Sequence, residues 1–278
     1  MSLFKYLYII LLAIFISACS FGKKTLDLNE LNKIKKVAVV MYTTPTSITY
    51  KSDPRDSGKK SLLAIVAETA SADNGSKAAG IAHKTFTQTL GSKKLPFTVL
   101  SHSNTVQNRN FMRLYSAEPA KPAAPKGGVM GFLSSMGGGD ATQGAAPANI
   151  NQYGLTTWNS DSALTKKQGE MKYIKDAMNA LKVDAVLIIN DPGFSFVCEV
   201  CVAQSGAAST GSAFNATMIN RAGHVVLNIR EWFATTDAQA AMVGGAVNPL
   251  QHDALFEEHG RKMANVFADA LREGMSAK

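Results

Sequence analysis

Beyond residue 18, no stretch of this chain is both apolar and long enough to cross a bilayer as a helix, which takes about 20 residues. Basic charge is not concentrated either. The formal net charge is +8, from 29 Lys and Arg against 21 Asp and Glu, but the lysines fall in isolated pairs such as Lys35-Lys36, Lys59-Lys60 and Lys93-Lys94. Nucleic-acid binding asks for a concentrated basic stripe with aromatic platforms, so that class is set aside. Scattered pairs suit a solvated surface, or a mild attraction to an anionic lipid leaflet. No Gly-x-Ser-x-Gly elbow occurs to present a nucleophilic serine. Ser57-Gly58-Lys59-Lys60-Ser61 imitates a phosphate-binding loop, but Asp53 stands where the first glycine belongs and Lys60 takes the Ser/Thr place. Both departures remove the mechanics of phosphate cradling.

Cysteine is scarce: Cys19, Cys198 and Cys201 are all there are. A redox Cys-x-x-Cys usually opens a helix, whereas the flanks of Cys198-Glu199-Val200-Cys201 read as strand or turn. A zinc site would need two further ligands, and no second Cys-x-x-Cys or His-x-x-x-His accompanies the pair. A small structural disulfide between Cys198 and Cys201 is the expectation, with a reduced pair and metal or redox chemistry as alternatives. His252 and His259 lie seven apart on the last helix with Asp253 and Glu257 near them. A metal needs three or more converging ligands, so these read as the polar outer face of an amphipathic helix. His83, beside Lys84, reads as solvent-facing. Asp191-Pro192-Gly193 follows a buried strand, where α/β proteins tend to place ligands, but it is also an ordinary turn sequence, and the turn is the expectation. Trp158 and Trp232 fit an interface or a core equally. No catalytic residue, cofactor or metal is expected.

The secondary-structure pattern is that of an α/β protein. Lys36–Tyr42 and Asp184–Ile189 are near-continuous apolar runs, the mark of strands buried on both faces. Ala79, Ala82, Phe86 and Leu90 recur at helical steps up to Gly91, and Met171, Ile174, Met178 and Leu181 do the same. Pro96–Leu100 reads as a further strand. Phe214–Ile219 and His224–Phe233 alternate around Asn220-Arg221-Ala222-Gly223, a hairpin. A final helix is expected from about Pro249 to Gly274. The order predicts a mixed sheet, parallel strands plus a late antiparallel hairpin, with packed helices. Residues 116–151 are rich in Ala, Pro and Gly and predict a flexible insertion. Its apolar Val129–Leu133 would be a sticky patch or simply part of an inert loop.

At the N-terminus, Lys5 precedes an apolar run from Leu7 to Ile16, then Ile16-Ser17-Ala18-Cys19. The run is too short to span and has the proportions of a signal peptide. It resembles the lipobox of bacterial lipoproteins, which implies residues 1–18 as a signal peptide and lipidation at Cys19; the polar stretch 19–35 then reads as a tether and 36–275 as one α/β domain. Ser20, by the same resemblance, implies the outer membrane, with the body facing the periplasm. The strand at Val37–Met41, the helix end Met178–Lys182 running into Val183–Leu187, and the turn Arg221–Val225 resemble periplasmic lipoproteins related to the curli-secretion channel subunit. They resemble equally the penicillin-binding-protein activators and the amino-terminal domain of the Tol-system propeller protein. The resemblance implies a non-catalytic accessory or scaffold module with an envelope protein partner, or a homo-oligomer, and no nucleic acid. A small-ligand binder or enzyme, or a homo-oligomeric secretion component, is the competing expectation. Pore formation is not expected, since no pair of long alternating strands is visible.

Overall fold

A computed structural model describes residues 23–45, 48–51, 74–116, 168–202, 205–233, 236–237, 239–243 and 245–276. Cys19, Ser57–Ser61, Trp158 and nearly all of the 116–151 segment lie outside them. The protein is α/β with a mixed sheet. In chain order its elements are β1 (Lys23–Leu26), α1 (Leu28–Leu31), β2 (Lys36–Thr43), α2 (Gly75–Gly91), β3 (Thr98–Val99), α3 (His102–Val106) and α4 (Arg109–Ser116). There follow α5 (Gln168–Leu181), β4 (Ala185–Asn190), β5 (Ser195–Val202), β6 (Ser205–Asn220), β7 (Val225–Phe233), β8 (Ala240–Val243), β9 (Ala246–Val247) and α6 (His252–Ser276).

The main sheet has the order β1-β7-β6-β4-β2-β3. β2 lies parallel to β3 and β4, while β4–β6, β6–β7 and β7–β1 are antiparallel. Both faces of its centre are covered, which is why β2 and β4 read as unbroken apolar runs. Val37 and Val39 face α2 and α6, whereas Ala38 and Val40 face α4 and α5. A bulge between Val39 and Met41 puts Val40 and Met41 on the same side and returns Tyr42 to the first face. Asp184 fixes the start of this pairing, its carboxylate accepting from the Lys35 and Lys36 N–H groups at 3.0 and 2.9 Å. Phe86 of α2 meets Phe267 of α6 edge-on, with ring centroids 6.0 Å apart.

Two expectations need correction. The segment 19–35 is not tether throughout. From Lys23 it is sheet, β1 pairing with β7 in the register Lys23↔Arg230 to Leu26↔Leu227, and it continues into α1, capped by Asp27. The hairpin is also longer than its alternation predicts. β6 runs for 16 residues, and only its second half belongs to the main sheet. Its first half pairs with β5 on one side and β8 on the other, and β9 adds to β8. These four strands form an arm beyond the end of β7.

Candidate functional site

Where β4 ends, the chain turns at Asp191-Pro192-Gly193, and the Phe194 N–H donates to the Asp191 carbonyl at 3.2 Å. Gly193 is needed here, because a Cβ would lie 2.4 Å from the Ala213 nitrogen and 2.5 Å from its Cβ. The close approach sets Asp191 beside β6, where that strand leaves the main sheet for the arm. On the opposite wall, Gly260 lets α6 press against α2; a Cβ there would sit 2.5 Å from the Ala82 carbonyl oxygen. The preceding residue, His259, faces the interior.

Asp191, His259, Ser212 and Thr210 meet with no exposed surface. The His259 Nε2–H donates to Asp191 Oδ2 at 2.7 Å, and the Ser212 hydroxyl donates to Oδ1 at 2.8 Å. His259 Nδ1 meets Thr210 Oγ1 at 3.1 Å, and Thr236 Oγ1 accepts the Thr210 N–H at 3.2 Å. Phe194 lies flat on the imidazole, ring centroids 3.4 Å apart and 6° from parallel. Tyr42 lies beside the same carboxylate, its hydroxyl fully buried. Burial, and then the Asp191 charge, hold that phenol well above its ordinary 10.0.

The cluster contains a serine, a threonine, a histidine and an aspartate, and its serine is not placed as an activated nucleophile. A triad needs the imidazole on the hydroxyl and the carboxylate behind it. For Ser212 the carboxylate stands between hydroxyl and imidazole and accepts from both, whereas Thr210, His259 and Asp191 do follow the triad order, with none of the three exposed. With every member sealed in the core, the arrangement ties β4, β6 and α6 together.

A second buried imidazole corrects the sequence reading directly. His83 has no exposure, and its Nε2–H donates to the Val39 carbonyl at 2.9 Å, at the edge of the β2 bulge. Its Nδ1 is buried without a hydrogen bond, and His102 packs edge-on with centroids 4.7 Å apart. Burial, reinforced by His102 and opposed by the Val39 bond, lowers the His83 pKa to about 3.

The other sequence candidates separate. His252 is partly buried against Phe196 and Phe256, while His259 is fully buried, so the two do not share the polar outer face expected of them. Asp253 instead pairs with Lys77 of α2 at 2.6 Å, and Glu257 is exposed. Among the described residues no three His, Cys, Asp or Glu side chains form a metal-binding group, and no helix is long and apolar enough to cross a membrane. Of Trp232 only its place in β7 is described.

Cys198 and Cys201 are joined by a disulfide within β5. Residues three apart in an extended strand are about 10 Å apart. Here the Cα atoms are 5.9 Å apart, because the β5–β6 register shifts between Cys198 and Val200. So short a closed loop removes little chain entropy. Cys198→Ala/Cys201→Ala is therefore expected to lower global stability by at most about 2 kcal/mol. The larger effect should be faster hydrogen exchange confined to β5 and the first half of β6. Uniform acceleration across β2 and β4 would show the bond to be a global support instead.

No protein family, curated protein or solved structure matches this chain.

Proposed function

We propose that this protein is an exported lipoprotein, held to a membrane through an acylated Cys19, whose body serves as an accessory or scaffold in the cell envelope through protein contacts. One observation supports the non-catalytic part above others. The Ser212, His259 and Asp191 side chains, the set best able to do chemistry, are bonded to one another in the core with no exposure. The anchoring part rests on the basic start, the short apolar run and Ile16-Ser17-Ala18-Cys19. Acyl chains would hold the body firmly, at about 0.8 kcal/mol for each methylene buried. Ser20 favours the outer membrane, with the body in the periplasm.

Cys19→Ser is expected to leave an unprocessed, unlipidated precursor, read by intact mass and by flotation with membranes. A Cys19→Ser protein that still matures and floats with membranes refutes the anchor. Purification of the detergent-extracted protein separates the roles: a stoichiometric envelope protein supports the scaffold, and a co-purifying metabolite supports a ligand-binding or enzymatic role.

A further inference from the structure

The arm made by β5, β6, β8 and β9 has an unusual surface. From Pro192 to Asn220 the only charged residue is Glu199, and from Ala238 to Gln251 there is none, in a chain that is 18% charged. Yet the arm is not sealed like the core. Val202 is 81% exposed, Val243 74% and Leu250 93%, and these are three of the four large apolar side chains exposed among the described residues. Register brings the first two together: Val202 pairs with Ser205 at the arm tip, and the adjacent Gly206 pairs with Met242. Leu250 is near, since the Ala241 carbonyl accepts the Asn248 N–H at 2.9 Å.

The start of β1 lies toward this arm. β1 runs from Lys23, opposite Arg230, to Leu26, opposite Leu227, so its first residue is the one nearest the arm. Arg230 pairs with Asn215 of β6, and Phe233 with Ser212, after which β6 leaves β7 and continues into the arm between β5 and β8. Only three residues lie between Cys19 and Lys23, so the four Cα-to-Cα steps reach at most about 14 Å. The seven residues from Ser212 back to Ser205 extend about 23 Å. The arm is longer than the leash that would have to hold it clear of the surface.

We propose that this arm rests on the bilayer that carries the chain's own lipid, with Val202 and Val243 in the interfacial layer. The inference rests on acylation of Cys19. Its occupant is a lipid surface because the anchoring distance brings one there, and because strands with a single charge, Glu199, and exposed valines cost little to desolvate against headgroups and upper acyl chains.

The test uses the mature lipoprotein in vesicles of phosphatidylethanolamine and phosphatidylglycerol. With Cys19 acylated and Cys198 bonded to Cys201, a new cysteine is the sole reactive thiol. Val202→Cys, Val243→Cys and, at the opposite β6–β7 turn, the exposed Ala222→Cys each carry an environment-sensitive fluorophore. At Val202→Cys and Val243→Cys we expect a blue shift on reconstitution and loss of emission to lipid-borne spin labels, with neither change at Ala222→Cys. Vesicle-bound protein whose label at Val243→Cys stays as wet as that at Ala222→Cys overturns the inference and leaves the anchor standing. A label shielded from water but untouched by lipid quenchers, with copies in mutual contact, overturns it in favour of a second copy on the arm. Failure of the unsubstituted protein to float with vesicles removes the anchor and this inference together.

Discussion

Asp191→Ala should destabilise the folded body by about 3–5 kcal/mol, since it takes the acceptor from two fully buried donors at about 1–3 kcal/mol each. The loss is large because one carboxylate serves several groups. Without it the His259 Nε2–H and the Ser212 hydroxyl lose their acceptor in a place that water does not reach. Asp191→Asn should cost less, since its amide oxygen still accepts from His259. The paired change Asp191→Leu/His259→Leu should cost less than the sum of its two single changes, because the second deletion removes a group the first has orphaned. Urea unfolding with an unchanged m-value reads all of these. An Asp191→Ala protein within about 1 kcal/mol of the parent, less than a typical buried unpaired group costs, would mean that the cluster contributes nothing to holding β4, β6 and α6 together.

Acid should destabilise the protein as the pH falls below about 6.5, through His83. The unfolded imidazole takes up a proton near its ordinary 6.5, and the folded one only at about 3. Between those values the unfolded state binds more protons, so stability falls as pH falls, and above 6.5 the effect vanishes. The loss is about 2 kcal/mol at pH 5 and about 3 at pH 4. His102 and His252 are also lowered, chiefly by burial, and add in the same direction. His83→Gln keeps a donor for the Val39 carbonyl but cannot titrate. Its stability should change far less between pH 7 and 4 than the parent's. Equal pH slopes in the two proteins would dismiss His83 as the acid-sensitive group.

What could be read in advance followed burial on both faces. Val37–Met41 and Ala185–Ile189 declare themselves because helices cover both sides of those strands, and Ala79, Ala82, Phe86 and Leu90 because one stripe of α2 is buried. β1 did not, since Lys-Lys-Thr-Leu at a sheet edge carries neither alternation nor a run, and its place is set by β7. β8 and β9 are too short to show a period. His259 was hidden by its neighbours: Glu257 and Glu258 suggest an outer face, yet Leu255 and Met263, four residues to either side, lie on the buried stripe. Counting in fours from Leu255 would have found it. Thr210 and Ser212 carried no such signal, because their partners are distant in the chain and only the fold brings them to Asp191.

β6 passes from body to arm with no loop between, and the Asp191–His259 cluster grips it at Thr210 and Ser212, at that crossing. Body and arm thus share one stiff spar, riveted at its midpoint. A pull on the outer strands would be felt at α6 and β4 as torque and would not be absorbed as slack, so whatever seizes the arm also reports on the integrity of the interior.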